Sequence, residues 1–260
     1  MLDTDLSKLK AWFAVYIIKN RHGDSAANSA FDLKIHHTAL VCDDAREIAQ
    51  CLGWPPEAVF AAEAAALLHD VGRFPQMNKF HTFDDRRSVD HAALGVEAIL
   101  EDNILAGLSG KEQRTIISAV QWHNKRFVPA ELPEDEKPLL FLLRDADKLD
   151  IMRIFCDYYV ARQEELRFVL EPDLPKAGGC SEKILSALDG GQTADINDAR
   201  NVNDVRLIKL SWVYDLNYPK SRELFLKRRY IEKTLASLPP LPEIQSAGRR
   251  LARHLKANSR

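Results

Sequence analysis

Apolar side chains return at every third or fourth position along most of the chain, and no alternating apolar runs are joined by a hairpin dipeptide. This spacing predicts an all-α protein. Helices are read over 6–19, 27–52, 56–69, 88–106, 111–123 and 138–170. Ser109 followed by Glu112 forms a capping box at the start of the fifth. Breakers separate the helices at 53–55, 72–85 and 129–135. The second of these opens a long loop, 73–87, that carries Arg73, His81, Arg86 and Arg87. Further on, DLPKAGGCSEK and LDGGQTAD bracket a short helix, and a helical region follows over 202–235. PPLPE then precedes a basic amphipathic tail, GRRLARHLKANSR, expected as a solvated helix end.

The same periodicity sorts the histidines. In FDLKIHHTALVCDDAREIA, His37 shares a stripe with Leu40, Val41, Ala45 and Ile48 and points inward, whereas His36 aligns with Asp43 and Glu47 and points outward. His123 extends the stripe of Ile116, Ala119 and Val120, and His91 lies one turn before Gly95 and Ala98. The alanine-rich stretch AAEAAALL ends abruptly in His69 and Asp70. In PLLFLLRDADKLDIMRIF, Asp147 has Leu140, Leu143, Ile151 and Ile154 at successive turns, while Asp145 has Phe141, Leu149 and Met152. Periodicity does not choose between these two acids. A buried imidazole or carboxylate requires a polar partner. Four inward histidines with two acids, drawn from five helices, are a donor set suited to Zn, Mn or Fe, and helical bundles build metal sites by gathering ligands in this way.

Composition narrows the function further. A length of 260 residues with 46% hydrophobic side chains supports a large core in one domain over 1–260, without internal repeats. The net charge of −2, from 36 basic and 38 acidic residues, provides no global field for nucleic acid or an anionic membrane. Phosphate recognition must therefore be local. Cys42, Cys51, Cys156 and Cys180 lack CxxC or zinc-ribbon spacing and are expected as reduced thiols. The apolar run 11–18 is too short to span a bilayer and lacks a signal-peptide cleavage pattern, so a soluble cytoplasmic protein is expected.

The ordered set His37, His69 and Asp70 within LLHDVGR, His91, His123, and Asp147 within ADKLD resembles the HD-domain metal-dependent phosphohydrolase superfamily. The resemblance implies an HD-domain helical bundle with a core over 30–162, additional N-terminal helices and a C-terminal helical extension over 200–257. It implies a first metal site at His37, His69, Asp70 and Asp147, the last favoured over Asp145 by its Ala-Asp-Lys/Arg-Leu context. Asp70 would bridge to a second metal held by His91 and His123, with His69 and Asp70 at the catalytic centre. The cofactor would be a divalent transition metal, two ions of Mn, Fe, Co, Ni or Zn. The implied activity is hydrolysis of a nucleotide-like or other small phosphate ester through a metal-activated water. No GYP motif of the kind found in cyclic-di-GMP phosphodiesterases follows. Arg73, Lys125 and Lys148 are candidate phosphate contacts, and His81 is a candidate substrate contact or proton donor in a lid-like loop. Related ligand sets also support a di-iron oxygenase or a non-catalytic nucleotide-binding module.

Overall fold

A computed structural model describes residues 1–21, 25–160, 174–176 and 178–258. The end of the predicted helix at 161–170, and with it the boundary of the expected HD core at 162, lies outside the described residues. The described chain is helical, without a β-strand, and forms two compact units, Met1–Asp147 and Lys148–Arg260. No helix among the described residues is long and apolar enough to cross a membrane.

The first unit contains α1 (Asp3–Asn20), α2 (Ser25–Cys51), α3 (Pro56–Leu68), α4 (Arg73–Phe80), α5 (His91–Glu101), α6 (Gly110–Trp122) and the start of α7 (Lys137–Val160). Helix α3 packs against α1, α2 and α6, which explains its composition. Ala62, Ala64, Ala65, Ala66, Leu67 and Leu68 are all buried, because the second half of the helix is covered on every side and has no need of a polar face. Its one buried acid, Glu63, is neutralised by Arg46, whose Nε and Nη2 donate to the two carboxylate oxygens at 2.7 and 2.8 Å. Lys10 adds a third contact at 3.4 Å. The capping box of α6 forms as expected: Glu112 N–H donates to Ser109 Oγ at 3.3 Å and Ser109 N–H to Glu112 Oε2 at 2.9 Å.

Two local expectations are corrected. The segment 73–87 is not one loop, since it contains helix α4. Pro75 lies in the first turn of α4, where its missing N–H costs no hydrogen bond, so it does not act as a breaker. The next helix starts at His91 and not at Ser88: a short 3-10 turn, Asp85–Arg87, intervenes, and Asp90 is the N-cap, accepting from Ala92 N–H at 3.2 Å.

The second unit contains the rest of α7, then α8 (Glu182–Asp189), α9 (Val202–Ser211), α10 (Pro219–Lys227), α11 (Tyr230–Ala236) and α12 (Pro242–Asn258). The helical region read over 202–235 is therefore broken, by a 3-10 turn at Trp212–Asp215, by Pro219 at the start of α10, and by left-handed Arg229 before α11. The basic tail is corrected from a solvated end to a packing element. Ile244, Ala247, Gly248, Leu251 and Leu255 of α12 are buried, and the helix packs on α8, α10 and α11. A Cβ at Gly248 would lie 2.4 Å from Leu235 Cδ1, so the glycine makes room for the Leu235 side chain of α11.

Candidate metal centre

Helix α3 ends at Leu68, and His69 and Asp70 follow in the turn that leads into α4. His37 faces them from the middle of α2, His91 opens α5, His123 closes α6 and Asp147 comes from α7. All six predicted ligands are in the first unit and converge. His37 Nε2 is 3.2 Å from His69 Nε2 and 3.2 Å from Asp147 Oδ1, which also lies 3.7 Å from His69 Nε2. On the other side, His91 Nε2 is 3.1 Å from His123 Nε2. Asp70 joins the two groups: its Oδ2 lies 3.5 Å from His37 Nε2 and 3.4 Å from His69 Nε2, while its Oδ1 lies 3.4 Å from His91 Nε2. His37, His69 and Asp70 form one potential ion-holding group, and Asp70, His91 and His123 a second. His36 is exposed, as its helical phase requires.

Hydrogen bonds behind the rings fix which nitrogens face inward. The Nδ1 of His69 bonds to the carbonyl of Ala66 at 2.6 Å, and the Nδ1 of His123 to the carbonyl of Val120 at 2.7 Å. A carbonyl only accepts, so Nδ1–H is the donor in both rings and each Nε2 presents a lone pair. His91 is oriented likewise by Asp85, with Nδ1 to Oδ2 at 2.7 Å. The lone pairs of His91 and His123 therefore face each other across 3.1 Å beside an ionised carboxylate. Two lone pairs at that distance repel unless a positive charge lies between them.

A proton is a poor candidate for that charge. Burial, reinforced by His91 and His69, pushes the His123 imidazole down to about 3, and burial with Arg73 also lowers His91. Burial raises the Asp70 carboxyl, but Lys34, His69 and Arg73 outweigh it and hold it well below the usual range. Asp147 is likewise raised by burial and brought lower overall by His37, His69 and His123. Neutral His91 and His123 imidazoles beside the ionised Asp70 carboxylate are in the protonation states that divalent transition metals bind. The residues present thus fit such an ion.

Several supporting residues carry no sequence signal of their own. Asp85 not only orients His91 but accepts from Arg73 Nη1 and Gln76 Nε2 at 2.8 Å each and from Asn124 Nδ2 at 3.2 Å. These contacts outweigh burial and keep its carboxyl strongly acidic. Asp85, Asp90 and His91 form a third acidic grouping, but Asn124 bridges the two carboxylates, so this grouping serves as a brace behind His91. Arg144 of α7 reaches the end of α6 and donates to the carbonyls of His123, at 3.1 Å, and Lys125. Lys34, one turn before His37, donates to Asp70 Oδ2 at 2.5 Å. None of these contacts has a fixed sequence spacing that would have announced it.

The predicted substrate contacts are placed differently from one another. Arg73 is at the centre, its Nη1 shared among Gln76, the Phe83 carbonyl and Asp85. Lys125 pairs with Asp90. Lys148, in the second unit, pairs with Asp215 at 2.7 Å. His81 is the left-handed C-cap of α4, exposed and outside the buried cluster. Asp145 is fully buried, and the His37 and His69 rings face Asp147 instead.

The all-α unit thus brings four buried histidines and two aspartates from five helices together around one shared carboxylate, an arrangement that could hold metal ions. The HD domain family model matches residues 35–152, a stretch that contains all six ligand candidates, so the chain carries an HD domain there. No curated protein and no solved structure matches the chain. HD domains bind divalent metals, and the match points to metal-dependent hydrolase chemistry in general.

Proposed function

We propose that this protein is a phosphohydrolase that uses two divalent transition-metal ions to hydrolyse a small, nucleotide-like phosphate ester. The observation that carries the reading is the facing pair of His91 and His123 lone pairs, joined through Asp70 to a second group of His37, His69 and Asp147. One ion would be held by His37, His69, Asp70 and Asp147, and the other by Asp70, His91 and His123. Bound there, the ions would supply a water of near-neutral pKa and neutralise charge on a phosphoryl oxygen. Asp85, Ala66 and Val120 hold the imidazoles in the tautomer that leaves Nε2 available. Arg73 braces the turn behind Asp70. Asp147 has 15% of its side chain exposed, and a substrate would reach the centre from its side.

The test is metal analysis followed by a phosphate-ester panel. Two bound ions per chain and metal-stimulated release of phosphate are expected, with both ions lost in D70A but only one in H91A. Hydrolysis should be abolished in H69A, D70A and D147A. Consumption of O2 with a small organic substrate, and no hydrolysis across the panel by fully metallated protein, would replace this reading with the oxygenase alternative.

A further inference from the structure

The cations around the centre differ in what neutralises them. Lys125 is held by Asp90, and Arg73 Nη1 by Asp85, Gln76 and the Phe83 carbonyl, while Arg73 Nε lies 3.4 Å from the other Asp70 oxygen, Oδ1. The counter-ion of Lys34 is Asp70 itself, through Oδ2, the oxygen that also faces His37 and His69. Lys34 therefore bonds a carboxylate oxygen that an ion at the first group would claim. Its position allows it to move. It lies three residues before His37 on α2, its side chain is 13% exposed against 3% for Asp70, and its long stem carries a compact, rotatable ammonium. The Phe83 ring supports the arrangement, with Lys34 Nζ 5.6 Å and Arg73 Cζ 5.8 Å from its centroid. An aromatic ring attracts cations to its face, so Phe83 lets two like charges share one rim.

We propose that Lys34 is an exchangeable counter-ion and a substrate-binding residue: it neutralises Asp70 in the metal-free protein and, once ions occupy the centre, turns its ammonium to a phosphate oxyanion of the substrate. This rests on the metal-centre reading above. It moves the principal phosphate contact away from Arg73, whose Nη1 is shared among Gln76, the Phe83 carbonyl and Asp85, to a lysine with no motif around it. It also makes metal and phosphate binding cooperative, since each ion that displaces Lys34 from Asp70 releases a cation for the anion.

The experiment measures binding of inorganic phosphate, by calorimetry, to wild type and K34M loaded with the same metal, together with metal affinity in the absence of phosphate. Removal of a charge-assisted hydrogen bond is expected to weaken phosphate binding at least about tenfold. Metal affinity should be equal or higher, because no ammonium competes for Asp70. K34Q, which keeps an amide that can bond Asp70 but no charge, gives the same comparison should K34M not fold, and K34R should recover phosphate binding. Unchanged phosphate affinity in the folded variant overturns the proposal. So does a fall in metal affinity with phosphate binding intact, since Lys34 would then only position Asp70. Lys34-dependent phosphate binding in a protein that hydrolyses no ester would remove the hydrolase reading and leave this proposal standing, and hydrolysis with Lys34-independent binding would do the reverse.

Discussion

Replacing Gly72 by alanine aims a methyl group at the backbone of the next helix. The added Cβ would lie 2.0 Å from the His91 carbonyl oxygen, 2.6 Å from Gly95 N and 3.0 Å from Leu94 Cβ. Gly72 itself is right-handed helical, with φ −68°, so any residue could adopt its backbone conformation and space is the sole constraint. To restore ordinary contact, the turn and the start of α5 must separate by roughly 1.4 Å. Two pieces of backbone cannot rotate away as a side-chain tip can. Overpacking of this kind costs about 1–3 kcal/mol, or about 2–12 °C in Tm for a domain of this size.

The same displacement moves His91, the first residue of α5, away from Asp70 and His123. G72A should therefore melt lower and lose the second ion while it retains the first. Gly95 provides the control. A Cβ there meets Gly72 N at 3.4 Å and Val71 Cγ2 at 3.5 Å, ordinary contacts, and alanine within a helix gains about 0.5–1 kcal/mol over glycine. G95A should thus match or exceed wild type in thermal unfolding and bind both ions. Equal melting temperatures and equal metal content in G72A and wild type would refute the close-approach argument.

Two further outcomes follow from the residues behind the ligands. In D85N the charge that holds His91 Nδ1–H is gone, so affinity at the His91/His123 site should fall by about 10–100-fold with the other site unaffected, as read by metal titration; two unchanged affinities would disprove the orienting role. For metal-free protein, stability should depend on acid through His123 and His91, because both are held neutral by burial where a free imidazole of pKa 6.5 takes up a proton. The unfolded state then binds more protons, so their contribution is intact above about pH 6.5 and is lost progressively toward about pH 3. Thermal unfolding of chelator-treated protein that stays constant from pH 7 to about 4.5 would contradict this sign.

How much of this was legible depended on whether a residue's role is set by its own helix. His36 and His37 separate because α2 has one buried and one solvated face, so a period of 3.6 assigns each. The alternatives Asp145 and Asp147 do not separate, because α7 buries Leu139, Leu140, Leu142, Leu143, Ala146 and Leu149 and leaves no polar face to set the phase. Helix α4 was hidden by a proline that reads as a breaker, although it occupies the one helical turn that tolerates it. Lys34, Asp85 and Arg144 stayed silent for a different reason. Their partners lie on other elements, Lys34 on Asp70, Asp85 on His91 and Arg144 on the end of α6, and a sequence has no period for a contact between elements.

That distinction also changes what the charge count means. A net charge of −2 offers an anion no general attraction, and Lys34, Arg73 and Lys125 beside the centre are each paired with an acid. Charge available to a phosphate must therefore be created at the site, and Lys34 provides a means, because its partner Asp70 is the carboxylate shared by both ligand groups. An ion that takes Asp70 adds its own charge and releases the ammonium, so the centre becomes attractive to phosphate in the same step that prepares it for hydrolysis. Metal-free protein should accordingly ignore phosphate at concentrations that saturate the loaded form. A substrate bound before the metals would meet a rim already neutralised by the chain's own aspartates.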